Sequence, residues 1–425
     1  MRVLFVSHAE KTHFLGMVPL AWALRTAGHE VRVASQPELT GVITGAGLTA
    51  VPVGGDHMLQ QLITHANGLD PDGPPPFDMA ENRPERLTWE YLRRGYHDEL
   101  VPWWWRVVND PMIGELTAFC RHWRPDLVIW EPATYAGALA AKACGAAHAR
   151  MLWSLDLFAR MRGHYLRVRQ EQAPHERDAL AEWLGARGAK AGVAFSEDMT
   201  TGQFTIDHTP TSLRLDLPHT YVPLRYVPYN GTAVVPSWLH TPPSAPSRPR
   251  VCLTLGTSAT ERLDGYSVDV QDIVTHLGDL DIEVVATLPE KQQAELSHVP
   301  GNVRLVSFVP LHALAPTCSA VIDHGGPGTV FTVASHGVPQ LMIPKLFDEP
   351  VLAENLAARG AGLVLHAGDA DGPRVREHLL RLLGEPSFAE AAGRLQAEME
   401  AMPTPNELVG ELERLTAEHR GTVVS

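Results

Sequence analysis

The sequence predicts an α/β protein with parallel sheets in two domains. Short β-type runs recur at the pace of a βα unit, each followed by a longer amphipathic or Ala-rich stretch. That alternation implies parallel strands covered by helices on both faces. A proline-dense break carrying Pro223, Pro228, Pro236, Pro242, Pro243, Pro246 and Pro249 separates two such series, and neither helix nor inner strand accepts that density. The length of 425 residues, at about 150 per domain, allows two or three domains, and the single break settles on two.

In the first half, residues 3–7, 30–34 and 127–130 read as strands, and 17–27 reads as a helix ended by Gly28. The stretch 56–110 interrupts the rhythm with Pro71, Pro74, Pro75 and Pro76 and with Pro102 ahead of Trp103, Trp104 and Trp105. Such insertions are loops or helical flaps over a cleft, or linkers. Neighbours on a helix point about 100° apart, so the three tryptophans cannot share a face; two are expected in the core and one on an apolar cleft or partner surface. In the second half, 250–255, 283–287, 303–308, 320–323 and 340–343 read as strands. The expected division is 1–227 for the first domain, 228–249 for the linker and 250–425 for the second domain, whose last helix returns to the first.

Composition removes several classes of function. Hydrophobic residues at 44% and charged residues at 20% describe a globular chain. A net charge of −14 disfavours nucleic acid, which needs clustered Lys and Arg to displace counterions. The opening apolar run is too short for a signal peptide, and no uncharged stretch approaches the roughly 18 residues of a membrane span. Cys120, Cys144, Cys252 and Cys318 form no framework spacing and read as free thiols, so a cytoplasmic location is expected.

The most informative segment is Asp323-His-Gly-Gly-Pro-Gly-Thr329. A strand ends at His324, Gly325, Gly326 and Gly328 let the backbone turn, and a helix starts near Thr329 and stops at Gly337. Free amides and the positive helix end then face an anion, with Thr329 and His324 as further donors. A glycine-rich turn that only joins strand to helix explains the three glycines equally well. The Gly-Lys-Ser/Thr ending of a Walker loop is absent, and the segment is not a first-strand dinucleotide fingerprint.

His324-Gly-Gly-Pro-Gly-Thr329, His336-Gly-Val-Pro339, Pro344 and Asp348-Glu349 resemble the donor signature of inverting GT-B glycosyltransferases, and in particular bacterial deoxysugar transferases of macrolide and anthracycline biosynthesis. The resemblance extends to 19–24, 27–32, 123–132 and 225–231, nearly the whole chain. It implies two Rossmann-like domains facing across a cleft, the first binding acceptor and the second nucleotide-sugar. His324, Gly325, Gly326, Gly328 and Thr329, with Thr257 and Ser258, would hold the diphosphate; Phe308, Val309 and Pro310 would meet the nucleobase; Asp348 and Glu349 would meet the sugar. Where uridine-type members carry Glu on the donor helix this chain has Thr332, which favours a thymidine-diphosphate (dTDP) donor.

An inverting transfer needs a base for the acceptor hydroxyl. Among 21 histidines a lone one is ordinarily structural, but His13, in the loop after the first strand and before a helix near Gly16, matches the family's base. Its orienting acid falls on Glu131, where most relatives carry Asp. His8, one loop residue beyond the strand, is a competitor for that role but lies outside the matched pattern. No HExxH occurs, and the Asp-x-Asp turns at 279–281 and 369–371 read as solvated, so neither metal nor cofactor is expected. The expected activity is metal-independent O-transfer of a deoxysugar, aminodeoxysugars included, from a dTDP-sugar to a hydrophobic polyketide aglycone. The resemblance also implies a P450-like auxiliary activator protein, and a homodimer is a further expectation. Two rivals are a nucleotide-sugar 2-epimerase, which needs several cleft carboxylates, and a non-catalytic nucleotide-sugar-binding subunit.

Overall fold

The first strand, Arg2–Val6, buries every residue after Arg2, as an inner parallel strand covered on both faces must. In the computed structural model, which describes residues 1–59, 61–62, 76–172, 176–240, 248–256, 266 and 268–420, it lies within a seven-stranded parallel sheet. That sheet comprises β1 (Arg2–Val6), β2 (Glu30–Ser35), β3 (Ala50–Pro52), β4 (Leu127–Trp130), β5 (Ala147–Met151), β6 (Phe204–Asp207) and β7 (Tyr221–Pro223), in the order β3-β2-β1-β4-β5-β6-β7. A second parallel sheet has six strands: β8 (Arg250–Thr254), β9 (Glu283–Thr287), β10 (Val303–Val306), β11 (Ala320–Asp323), β12 (Gln340–Met342) and β13 (Gly362–Val364), ordered β10-β9-β8-β11-β12-β13. Each order reverses once, between β1 and β4 and between β8 and β11. In open parallel sheets ligands bind outside the carboxyl ends of the strands at such reversals.

The chain divides into two units: Met1–His208, Leu215–Leu224 and Pro403–Ser425 in one, Thr209–Arg214 and Arg225–Met402 in the other. In the first unit the helix Pro405–His419 starts with a capping box between Thr404 and Glu407 and packs on the helix Val18–Thr26. Glu413 of that helix lies 3.1 Å from His29 Nε2. In the second, Arg225 donates to the carbonyls of Glu400 and Met402.

Several strands escape a reading by pattern. β5, Ala-His-Ala-Arg-Met, is buried throughout although it holds His148 and Arg150. Each has a carboxylate partner: Asp198 Oδ2 lies 3.3 Å from His148 Nε2, and Asp156 pairs with Arg150. β10 ends at Val306, so Phe308 lies beyond the strand. The segment ahead of β4 is helical: Trp89–Arg93, then Arg94–Trp105 with π-type spacing around Pro102, then Arg106–Trp123. Of the three tryptophans, Trp105 alone is core at 1% exposure, Trp104 is half-buried and Trp103 is 61% exposed, one core residue fewer than expected. No helix among the described residues is long and apolar enough to cross a membrane.

Candidate active site

β1 and β4 are hydrogen-bonded neighbours in a register that sets Val6 beside Trp130, so the residues after them leave the sheet together. After Val6 come Ser7 and His8, then a one-turn helix, Lys11–Leu15, whose N-terminus is capped by Glu10. His13 therefore sits inside a helix rather than in a loop ahead of one, and its ring faces Glu131. Glu131 Oε2 lies 3.2 Å from His13 Nδ1, while Oε1 lies 2.9 Å from His8 Nδ1. The expected pair is thus a group of three, and His8, set aside on pattern grounds, shares the carboxylate. The extra methylene of Glu over Asp extends the carboxylate to a point where one oxygen faces each ring.

Glu131 is fully buried and richly solvated by protein. Ala133 N donates to Oε2 at 3.0 Å, Trp153 Nε1 to Oε2 at 3.3 Å, and the Thr134 hydroxyl to Oε1. Burial alone would push its carboxyl up, but the charge of His8 and hydrogen bonds from His13 and His8 outweigh burial and hold it well below the usual carboxylate range. His8 is almost wholly enclosed, with 3% of its side chain exposed against 14% for His13. Of the two rings, His13 is the more exposed. Its ring stacks on Trp153 at 4.6 Å between centroids and an interplanar angle of 21°. The indole continues an aromatic wall through Phe158, at 6.1 Å edge-on, to Trp104, 5.8 Å from Phe158. His57 lies 5.5 Å from His8; burial, followed by the charge of His8, brings it down to about 4, so it is neutral at working pH.

The second site is built where β8 and β11 reverse the other sheet, in a register that pairs Asp323 with Thr254. β11 ends at Asp323, His324 follows, and Gly326 caps the helix Pro327–Ala334. Pro327 supplies no N–H, which leaves Gly328 and Thr329 as the first amides of that helix; Thr329 bonds back to Gly326 O at 3.0 Å. The His324 ring occupies a slot walled by backbone. A Cβ on Gly326 would stand 2.3 Å from Nε2, and one on Gly256 2.6 Å from Cε1. Burial brings His324 down to about 4, the hydrogen bond to the Thr254 backbone pulling the other way, so the ring is neutral at working pH. The helix end, not a histidinium, supplies the positive potential.

Around this loop Asp323 Oδ1 accepts from Gly325 N at 2.7 Å. Burial pushes the Asp323 carboxyl up to about 8, the Gly325 amide opposing it and Glu349 adding to it. Glu349 Oε2 accepts from Lys345 N and Leu346 N, each at 2.9 Å, and shapes the turn in which Phe347 has a left-handed φ of 56°. Asp348 is 5% exposed. One Glu349 oxygen is therefore committed to backbone. Thr332 is fully buried and its hydroxyl donates to Gly328 O at 2.6 Å, with Tyr226 Oη 3.3 Å away. It has no surface to offer a ribose, so the nucleotide argument rests on the absent carboxylate alone. Phe308 is 55% exposed, whereas Val309 is buried in a cluster with Val321 and Val333, which fixes Phe308 relative to the donor helix. Pro310 is buried, and Thr257 and Ser258 lie outside the described residues.

Pattern reading missed His8, Trp153, Asp323 and Tyr226. Asp323 carried a signal, a carboxylate as the last strand residue before a phosphate-type loop, and His8 one, its place just after the first strand; the other two carried none. Neither Asp-x-Asp turn gathers ligands: Asp279 pairs with Arg376, and Asp371 caps a helix. Among the described residues, His8, His13 and Glu131 are the group with donor atoms close enough, within 4.8 Å of one another, to hold an ion.

Two family models match: the erythromycin biosynthesis protein CIII-like N-terminal domain over residues 22–256 and the C-terminal domain of the same family over 271–415. The 10-deoxymethynolide desosaminyltransferase of Streptomyces venezuelae is 50% identical, over 99% of this chain and 98% of its own. The aclacinomycin-T 2-deoxy-L-fucose transferase of Streptomyces galilaeus is 48% identical, over 99% of this chain and 97% of its own. Among solved structures, the glycosyltransferase VinC in complex with dTDP superposes with a TM-score of 0.88 at 44% identity, covering 98% of this chain and all of that one (100%).

Proposed function

This chain belongs to the erythromycin biosynthesis protein CIII-like family of GT-B deoxysugar glycosyltransferases, and from that premise we propose that it is an inverting, metal-independent O-glycosyltransferase that uses a dTDP-deoxysugar, aminodeoxysugars included, and a polyketide aglycone. Membership makes it an enzyme of sugar transfer to an aglycone, which removes the epimerase and the non-catalytic subunit. The single observation that supports the mechanism is the carboxylate of Glu131 at 3.2 Å from His13 Nδ1. Glu131 holds the Nδ1 proton, which leaves Nε2 basic, and it stabilises the imidazolium that forms when Nε2 takes the acceptor's hydroxyl proton. The acceptor oxygen attacks the anomeric carbon on the face opposite the diphosphate. The bond to the diphosphate oxygen breaks and the configuration inverts.

On the donor side, the leaving diphosphate is assigned to the amides that open Pro327–Ala334, to Gly325 and Gly326, and to His324. Phe308 offers its exposed face to the base, and Asp348 and Glu349 are assigned to the sugar. The relative solved with dTDP and the lack of a carboxylate at Thr332 favour thymidine over uridine. The aromatic wall behind His13 suits a large apolar acceptor. First-unit acceptor binding, second-unit donor binding, a cytoplasmic location, a P450-like auxiliary protein and a homodimer complete the proposal.

The test is product formation from a panel of macrolide and anthracycline aglycones with dTDP- and UDP-deoxysugars, with and without a candidate auxiliary protein, read by mass spectrometry and by NMR at the anomeric carbon. Inverted product from dTDP-sugars is expected. Retention of configuration, or preference for UDP-sugars, overturns the mechanism or the nucleotide assignment respectively.

A further inference from the structure

Three neighbouring strands of the first sheet, β1, β4 and β5, end in register, since Val6 pairs with Trp130 and Trp130 with Arg150. His13 follows the first, Glu131 the second and Trp153 the third. The segment that carries Trp153 is firmly held. Leu152 N donates to Ile206 O at 2.9 Å. Asp156 is buried, accepts from Ala159 N at 2.9 Å and from the Tyr221 hydroxyl at 2.8 Å, and pairs with Arg150. Between these two anchors Ser154 and Leu155 are buried as well, and Trp153 alone of the five residues is only half-buried. Phe158, in the first turn of the helix Leu157–Gln170 that Asp156 caps, stands against the indole at an interplanar angle of 88°.

The indole meets both His13 and Glu131. Its face lies 21° from parallel to the His13 ring with centroids 4.6 Å apart, and its Nε1 donates at 3.3 Å to Glu131 Oε2, the oxygen that lies 3.2 Å from His13 Nδ1. The χ2 torsion of histidine is broad, so an imidazole with open faces swings about its Cβ–Cγ bond. Here such a swing drives an edge of the ring into an indole that is itself fixed. The stack also acts on charge. An aromatic face attracts a cation, that of tryptophan most strongly, and a base becomes a cation only as it takes the acceptor's proton. Attraction that appears only then favours the transition state over the bound ground state. We propose that Trp153 is a positioning residue of the transfer, which fixes the plane of the His13 ring and stabilises its protonated form. The proposal rests on the reading of His13 as the base. It gives the indole an effect on kcat, whereas an aromatic side chain that only walled the acceptor site would act on the acceptor KM.

The test is steady-state kinetics of the full-length protein, with an aglycone and a dTDP-sugar that the wild type turns over, for Trp153→Phe, Trp153→Leu and Trp153→Met, alone and combined with His13→Ala. Loss of the stacked ring in the Leu and Met variants should lower kcat about 10–100-fold and leave the acceptor KM within about threefold. Trp153→Phe keeps a ring face and loses the N–H, and it should recover kcat to within about fivefold of wild type. In the His13→Ala background the same replacements should change the residual rate less than about twofold, because the ring they act through is gone. Wild-type kcat with a raised acceptor KM in Trp153→Leu, or a loss that multiplies in full with that of His13→Ala, overturns the proposal and leaves His13 as the base. Wild-type activity in His13→Ala overturns the base and, with it, this role for Trp153. A further measurement needs neither turnover nor a folded Trp153 variant. In wild-type protein labelled with ¹³C-histidine, the Cε1–H resonance of His13, assigned by its absence from His13→Ala, should lie upfield of a free imidazole because it sits over the indole face. A resonance at the free position overturns the proposal.

Discussion

His8 Nδ1 lies 2.9 Å from Glu131 Oε1, on the same carboxylate whose other oxygen faces His13. His8 is enclosed and His13 is not, so the two rings have different tasks. His13→Ala should lower kcat by at least the ~10²–10⁴ typical of a lost general base and leave dTDP affinity within a few-fold. His8→Asn removes a group that touches no substrate, so kcat should fall about tenfold with the acceptor KM little changed. Steady-state kinetics with dTDP binding by calorimetry check both, and substantial activity in His13→Ala would remove it as the base.

Metal-independence is testable because His8, His13 and Glu131 offer a plausible ligand set. If these groups perform acid–base work, exhaustive chelation should leave the rate unchanged. Added Zn²⁺, competing for the His13 nitrogen and the carboxylate, should inhibit, and chelator should reverse it. A rate that falls on chelation and returns with a divalent ion contradicts the acid–base reading.

The slot around His324 predicts a particular pattern of failure and rescue. Gly326 has φ −65° and ψ 134°, a conformation alanine adopts freely, so Gly326→Ala adds only a methyl 2.3 Å from His324 Nε2. The clash should cost about 1–3 kcal/mol of stability and displace the ring, weakening dTDP binding. Adding His324→Ala should restore the stability but not the binding. Thermal denaturation and dTDP titration of the single and double variants separate the two effects. A Gly326→Ala protein of wild-type stability and affinity would show that the slot is not needed.

Much of the fold was legible because β1, β4, β8 and β11 are apolar runs, buried on both faces, that stand out from what flanks them. β5 was not, since His148 and Arg150 are balanced by carboxylates outside the strand, Asp198 50 residues on and Asp156 six residues on, whose pairing only the fold reveals. The donor loop is local, and glycine spacing exposed it. His13 and Glu131 follow separate strands, and the parallel register of Val6 with Trp130 brings the segments after them together; only resemblance to a family linked them beforehand. His8 had a local position after the first strand but no family match, and its share in the carboxylate became visible only in the structure. Thr332 shows the opposite failure: a position chosen for its residue type proved to be turned inward.

Asp323 links pH to both stability and donor binding. Its carboxyl titrates at about 8 in the folded chain, against about 3.9 when unfolded. Between those values the folded state binds the proton more tightly, so this group's contribution to stability falls as pH rises from about 4 to about 8 and is level above that. At 1.36 kcal/mol per unit, the loss between pH 5 and 8 is at most roughly 4 kcal/mol. Asp323→Asn keeps an oxygen for the Gly325 amide and cannot ionise. Its melting temperature relative to wild type should therefore rise between pH 5 and 8 and level off above that. The same ionisation places a negative charge on the carboxylate that holds the Gly325 amide, in the loop assigned to the diphosphate. Wild-type affinity for dTDP should thus weaken as pH passes 8, while that of Asp323→Asn stays flat. Parallel pH profiles for the two proteins would show that Asp323 does not titrate in this range and that the loop does not sense its charge.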